Sequence, residues 1–321
     1  MAAAIALADR GKGRTGNNPS VGCIIVKQGR VIGRGWTQLG GRPHAEAMAL
    51  SEAGAEAAGA SVYVSLEPCA HHSERGPSCA DILAAAKPAR VVAALTDPDP
   101  RTAGQGFARL NAAGIEVTQP VLADKARIGL TGFLCRIEKA RPHVTLKLAT
   151  SLDGCIAMAD GSSRWITGQA ARAHTHLERA RCDAILVGAG TVAADRPTLD
   201  VRLPGLETRS PRRIMLGSGD PPAGWEVIRA LQEIAQLNCN SLLVEGGAQT
   251  ASAFLKARLV DRLLLYRAPI LIGSGLHSLG DIGLDTLGAA HSRWRLSDRR
   301  MLGKDTLEVY EAACSPASSQ T

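Results

Sequence analysis

Aromatic side chains are scarce in this chain, at 3% with only three Phe, three Tyr and four Trp. Its cores must therefore be built from Ala, Val, Leu and Ile, and too few rings remain for the stacking platforms that hold single-stranded nucleic acid. No apolar run approaches the roughly 20 residues a bilayer span needs, so no membrane segment is expected. The opening "MAAAIALADRGKGR" has no basic region ahead of its apolar stretch and an Asp straight after it, which reads as a first helix and not as a signal peptide. A run of five or more basic residues is also missing. The net charge of +7 is spread along the chain, as suits a basic enzyme that handles phosphates better than a nucleic-acid tail. The eight cysteines, at 23, 69, 79, 135, 155, 182, 239 and 314, lie mostly singly in apolar settings such as "VGCIIV". They point to a reducing cytoplasm without disulfides.

The 321 residues suit two domains. The first part alternates strand and helix patterns: "VGCIIV" and "VIGRGWT" as a hairpin across "KQGR", the helix "AEAMALSEAG", then "SVYVSL", "CADILAAA", "RVVAAL", "GFARLNAAG" and "IEVT". This order predicts an α/β layered domain over residues 1–141. A helical segment around 122–139 leads to Arg141-Pro142, where the residue before Pro is pushed out of the helical region. The pattern restarts with strands at "HVTLKLATSLDG", "AILVG", "RRIMLG", "SLLVEGG" and "DRLLLYRAPILIG". Helices are read at "GQAARAHTHLERARC" and "QTASAFLKARL". A second α/β domain is expected over 142–314, and "SPASSQT" at 315–321 reads as a disordered tail.

In "PHAEAMAL", His44 and Glu46 stand two apart at a helix start. Residues i and i+2 on a helix do not face each other, so the pair does not read as a surface salt bridge; it could be two groups aimed from the helix start at one external object. Cys69 follows a strand and a Pro, and Cys79 opens the next helix, where the N-terminal dipole favours a thiolate. His44, Cys69 and Cys79 could give three ligands to one zinc, leaving a fourth position for a water of pKa near 7. Glu46, beside the metal and not on it, would shuttle the proton to a leaving amine. Single His or Cys residues are more often packing groups, but here three features coincide in the order of a zinc deaminase. The usual C-x-x-C is absent; nine residues (79 − 69 − 1) separate the cysteines.

In the second half, Lys147 lies on a strand flanked by apolar residues, where an inward ammonium needs a partner. It could hold a ribose oxygen, or it could snorkel to solvent. "LLVEGGAQTASAFL" is strand, Gly-Gly, helix, which presents backbone N–H groups to a phosphate but is not the dinucleotide fingerprint.

These motifs, with "NNPSVGCIIV", "YVSLEPCAHH…GPSCAD", "DPDPRTAGQGFARLNAAGIEV", "LKLATSLDGCIA", "GSSRWITG" and "GAGTVAADRPTLDVR", resemble the bifunctional riboflavin-biosynthesis deaminase/reductase family over nearly the whole chain. The resemblance implies a cytidine-deaminase-like three-layer α/β/α domain followed by a dihydrofolate-reductase-like α/β domain. It implies zinc-dependent deamination of 2,5-diamino-6-(5-phosphoribosylamino)pyrimidin-4-one, then NADPH reduction of 5-amino-6-(5-phosphoribosylamino)uracil to its ribityl form. One zinc per chain and NADPH are the implied cofactors, and small pyrimidine ribose-phosphates are the partners. Neither nucleic acid nor membrane is expected, and the reading leaves room for a homo-oligomer. By the same resemblance Asn18 contacts the pyrimidine, and His71 and His72 lie near it. Lys147, read above from its strand, joins Ser163, Arg179, Leu199, Arg202 and Glu245 as the positions for the second substrate. Arg179 and Arg202 make sense as phosphate clamps. Ala149, Trp165, Thr191, Asp195, Ser218 and the segment Gly247, Ala248, Gln249, Thr250, Ala251, Ser252, Ala253 would contact NADPH.

Departures from the family pattern are also visible. Ser20 replaces an Asn in "NPSVG", the loop between the cysteines is one residue longer, and "PSC" stands for Pro-Pro-Cys. Only 44 residues (245 − 200 − 1) lie between Asp200 and Glu245, a segment shortened between 203 and 240 that is expected to lack a strand and a helix of the cofactor wall. A deaminase with a degenerate reductase half, a nucleic-acid base deaminase and a zinc-stabilised scaffold are the competing readings. Scarce aromatics oppose the nucleic-acid enzyme, and Glu46 beside an open site opposes the scaffold.

Overall fold

The computed structural model describes residues 1–71 and 73–313. The chain folds as two units, Met1–Pro142 together with Asn238–Asn240, and His143–Leu237 together with the chain from Ser241 onward. The first break falls between Pro142 and His143; the return of three residues to the first unit was not read from the sequence.

The first unit is built on strands β1 (Gly22–Lys27), β2 (Arg30–Trp36), β3 (Ser61–Val64), β4 (Arg90–Ala93) and β5 (Glu116–Thr118), in sheet order β2-β1-β3-β4-β5. β1 runs antiparallel to β2 and β3, whereas β3, β4 and β5 are mutually parallel. Its helices are α1 (Ala2–Ala8), α2 (Ala45–Ala53), α3 (Cys79–Ala86), α4 (Gln105–Ala112) and α5 (Ala123–Lys139). Glycines decide how closely two of them approach. A Cβ on Gly22 would lie 1.9 Å from the Ala4 carbonyl of α1, and one on Gly35 would lie 2.0 Å from the Ala45 carbonyl of α2. Gly35 pairs with Cys23, the neighbour of Gly22, so the two glycines face opposite sides of the sheet and helices cover both. Small residues thus bring the start of α2, with His44 and Glu46, directly onto β2. Ile25, Val62, Leu83, Val91 and Leu110 are fully buried in the core, which as expected contains few rings.

The second unit has one large sheet and a small two-stranded one. Its strands are β6 (His143–Thr150), β7 (Cys155–Ala157), β8 (Ala184–Gly188), β9 (Arg212–Leu216), β10 (Glu226–Ile228), β11 (Ser241–Glu245), β12 (Arg262–Arg267), β13 (Leu276–His277), β14 (Trp294–Leu302) and β15 (Asp305–Ala312). The large sheet has the order β10-β9-β8-β11-β6-β12-β15-β14, and β13 pairs with β7. From β10 to β12 the neighbours are parallel; β12, β15 and β14 are antiparallel. Helices α6 (Gln169–Ala180), α7 (Ala189–Asp195) and α8 (Ala248–Lys256) follow parallel strands or the loops after them.

Two differences from the sequence reading stand out. The short segment retains a strand, β10, which has only three residues and so shows no period; a 3₁₀ turn at Leu231–Gln236 replaces a regular helix. The closing β14–β15 hairpin was not read either. β14 is the edge strand and mostly exposed, so its arginines and serine hide the alternation that marks a half-buried strand. The seven described cysteines form no disulfide among themselves, as expected. No helix among the described residues is long and apolar enough to cross a membrane. Residues 315–321 and His72 lie outside the described residues.

Candidate active sites

Three elements converge in the first unit. His44 is the N-cap residue of α2, Cys69 follows β3 through "SLEP", and Cys79 is the first residue of α3. The potential ligand atoms of His44, Cys69 and Cys79 all lie within 4.8 Å of one another. His44 Nδ1 is 3.2 Å from Cys79 Sγ and 3.5 Å from Cys69 Sγ. Tetrahedral zinc with ordinary N and S bond lengths separates such ligand atoms by about 3.6 Å, so the donor set and its spacing both fit. The backbone N–H of Cys79 donates to Cys69 Sγ at 3.3 Å, so the start of α3 favours a thiolate at Cys69 and not at Cys79, where the sequence reading expected it. The Cys79 thiol and then His44 draw Cys69 down to about 4 against the opposing effect of burial. Cys79 moves upward because it shares its proton with Cys69 in a buried place. A cation between the two sulfurs would favour both thiolates.

Glu46 is buried on the first turn of α2, outside the ligand triangle. Burial raises its carboxyl above the ordinary range, although His44 opposes the shift. A carboxyl poised in this way suits proton exchange. A pocket of about 310 Å³ opens beside these groups, at the small end of the usual range for ligand sites. Asn18 and His71 line it; His71 Nδ1 lies 3.3 Å from Thr102 Oγ1. Ser20 does not line it. Its hydroxyl donates to the Ala8 carbonyl, so the side chain at this departure from Asn tethers α1 and is not part of the pocket wall.

The sequence reading missed the acidic wall. Asp97 and Asp99 line the pocket, and burial, with Asp99 and Glu67 nearby, raises Asp97 to about 7. Glu67 accepts backbone N–H bonds from Asp97 at 3.1 Å, Gly104 at 3.0 Å and Gly106 at 2.9 Å. One buried carboxylate therefore shapes the whole "DPDPRTAGQG" loop. The readable signal was the Glu in "SLEPC", an acidic residue at the end of an apolar strand.

In the second unit Lys147 and Glu245 are register partners on β6 and β11. Arg179 of α6 grips Glu245 with both prongs, Nε to Oε1 at 2.7 Å and Nη2 to Oε2 at 2.9 Å, and Nη1 donates to the Asp200 carbonyl at 3.0 Å. Its guanidinium is thus committed to this pair, while Arg202 stays mostly exposed and 3.8 Å from the Asp200 carboxylate. Burial pushes the Glu245 carboxyl up, but Arg179 and Lys147 outweigh it and the net shift is downward. Lys147 moves down because burial outweighs Glu245. Leu199 has a left-handed backbone, φ 53°, and is buried, its side chain packing with Ile185, Val187 and Leu243. Ser163 is exposed near Trp165, whose ring stands 66% exposed with the Arg172 guanidinium 4.7 Å from its centre.

Gly247 is the N-cap of α8 and offers no side chain to its first N–H groups. A Cβ on Gly246 would lie 2.9 Å from Thr250 Cβ, and one on Gly188 2.4 Å from Thr250 Oγ1. These strand ends therefore form a cradle that side chains would fill, which fits the pyrophosphate of a dinucleotide. Ala248, Gln249 and Thr250 lie on its accessible first turn, and Ala253 is partly exposed. Ala251 and Ser252 turn inward, and Ser252 Oγ accepts from the Gly280 N–H at 2.8 Å. Ala149 sits on β6, Thr191 and Asp195 on α7, and Ser218 just after β9.

Residues 1–95 match the cytidine and deoxycytidylate deaminase zinc-binding region. Residues 142–222 and 225–307 match the RibD C-terminal domain. The chain is 39% identical to riboflavin biosynthesis protein RibD of Escherichia coli K12, over 95% of this chain and 96% of that one. It is 41% identical to the protein of that name from Mycobacterium tuberculosis H37Rv, over 92% and 91%. Among solved structures, Acinetobacter baumannii RibD, form 1, superposes with a TM-score of 0.90 at 36% identity, covering 98% of both chains. A Thermotoga maritima diaminohydroxyphosphoribosylaminopyrimidine deaminase/5-amino-6-(5-phosphoribosylamino)uracil reductase does so with 0.88 at 31% identity, covering 98% and 97%.

Proposed function

The chain belongs to the RibD family of riboflavin biosynthesis, a zinc-dependent deaminase joined to an NADPH-dependent reductase, and we propose how its own residues divide the two reactions. The first unit removes an amino group from 2,5-diamino-6-(5-phosphoribosylamino)pyrimidin-4-one. His44, Cys69 and Cys79 hold one zinc, which when bound supplies a water acidified to about neutrality. Asn18 hydrogen-bonds the pyrimidine and orients it against the ligand triangle. Glu46 takes up a proton at its carboxylate and returns it to the departing amine, so water enters and ammonia leaves. The observation that carries this reading is the ligand triangle within 4.8 Å, with a buried carboxyl beside it and outside it.

The second unit reduces the ribosyl group of 5-amino-6-(5-phosphoribosylamino)uracil to ribityl, with NADPH supplying the hydride. Lys147, in the middle of β6, holds the sugar oxygen. Arg179 fixes Glu245 so that its carboxylate faces the sugar, and Arg202 reaches the phosphate. Gly247 and the first turn of α8 receive the cofactor's phosphates; Ala149, Trp165, Thr191, Asp195 and Ser218 complete its groove. The work is small-molecule chemistry in the cytoplasm.

Replacing Glu46 by Gln tests the division. Gln keeps the shape but cannot exchange the proton, so zinc should stay while deamination falls by about 10²–10⁴-fold. Reduction of pre-deaminated substrate should continue at the normal rate. Near-normal ammonia release by this variant would remove Glu46 from the proton path.

A further inference from the structure

Asn238–Asn240 fold with the first unit although the chain on both sides of them belongs to the second. Asn240 is buried and uses its whole side-chain amide there. Its Nδ2 donates to the Gly16 carbonyl at 2.9 Å and to the Asn18 carbonyl at 3.0 Å, and its Oδ1 accepts from Arg136 Nε at 2.8 Å. Arg136, on α5, also donates from Nη2 to the Asn17 carbonyl at 2.7 Å. Three consecutive carbonyls of the loop that carries Asn18 are thereby held by two side chains. The packing around Asn240 leaves no slack: a Cβ on Gly132 of α5 would stand 2.9 Å from the Asn240 carbonyl oxygen. Asn18 is confined from the other side as well, since a Cβ on Gly41 would lie 2.0 Å from its Nδ2. Asn17, Asn18, Phe133 and Arg136 all line the deaminase pocket.

We propose that Asn240, with Arg136 as its strut, is a positioning residue of the deaminase: it locks the Gly16–Asn18 loop so that Asn18 meets the pyrimidine in one fixed orientation. The inference rests on Asn18 contacting the substrate. A loop free to move must be ordered on binding, and that cost falls on substrate affinity before it falls on the chemical step.

The zinc-loaded chain carrying Asn240→Ala, Asn240→Asp, Arg136→Lys or Asn18→Ala would be assayed for both activities. Asn240→Ala should raise the deaminase KM by about tenfold while kcat stays within about twofold. Asn240→Asp should do worse, because it keeps the acceptor for Arg136 but turns a carboxylate oxygen on two carbonyls. Arg136→Lys, which cannot span both of its acceptors, should give the same split at smaller size. Zinc content and reduction of pre-deaminated substrate should match wild type. An unchanged deaminase KM in both Asn240 variants while Asn18→Ala raises it would overturn the inference and leave the role of Asn18 standing. An unchanged KM in Asn18→Ala would overturn both. A parallel loss of the two activities would reduce Asn240 to a general stabiliser and also reject the proposal.

Discussion

The two sites are built on opposite plans. The deaminase site is a point: three ligand atoms within 4.8 Å, fixed by a helix cap, a strand exit and a helix start. We propose the reductase site as a groove. One wall is pre-set by the buried Arg179–Glu245 pair, and the other is made of strand ends, bare N–H groups and exposed side chains such as Trp165. A point site tolerates no missing member, because each ligand closes the geometry for the others. A groove can lose part of a wall and still bind, at a cost in affinity. That contrast sets which substitutions abolish function and which only weaken it.

The largest effect should come from the point site. Cys69→Ala or Cys79→Ala should lose zinc and deamination together, with reduction of pre-deaminated substrate retained. Full zinc content in both variants, measured by metal analysis, would break the comparison at its root.

The next effect lies in the pre-set wall. The Arg179 and Glu245 side chains are only 12% and 11% exposed, so Glu245→Gln leaves a buried guanidinium without its counter-charge. A loss of about 3–5 kcal/mol in stability of the second unit is expected at neutral pH, with reduction lost and deamination kept. The pH dependence has a definite sign. The folded carboxyl sits below its ordinary 4.5, so its stabilisation is fully present above pH 4.5 and is lost as pH falls through the lower folded value. The gap between wild type and variant in denaturant titrations should therefore close below pH 4.5. A gap independent of pH would assign the loss to packing instead.

The smallest effect concerns the cofactor wall. The short segment keeps β10 and a 3₁₀ turn but no regular helix. A wall reduced in this way should raise the KM for NADPH by about ten- to a hundredfold with little change in turnover, the range expected from one lost charged contact. Titration of NADPH at saturating substrate decides it. Tight NADPH saturation would show that β10 and its turn replace the missing helix in full. No reduction at any NADPH concentration, with deamination intact, would mark the second half as a remnant.

The same contrast explains what could be read in advance. His44, Glu46, Cys69 and Cys79 were legible because metal chemistry restricts residue types and the elements that carry them. The strands of both sheets were legible where burial imposed an apolar run, as in β8 and β11, and not where an edge strand such as β14 faces solvent. Asp97 and Asp99 were missed because nothing local marks a loop aspartate as facing a pocket; only Glu67, through four backbone donors, turns that loop inward. The commitment of Arg179 to Glu245, 66 residues away, depends on the pairing of distant strands. Asn240 was invisible for the same reason, since its partners lie more than 100 positions earlier.

One chain carries two reactions in a fixed chemical order. Product identification tests it most directly. Zinc-loaded enzyme given the diaminopyrimidine ribose-phosphate without NADPH should release ammonia and stop at the aminouracil that still bears its ribosyl group. With NADPH added, the same mixture should proceed to the ribityl product, one NADPH being consumed for each ammonia released. Ammonia release with the ribosyl group unchanged at every NADPH concentration would contradict the account.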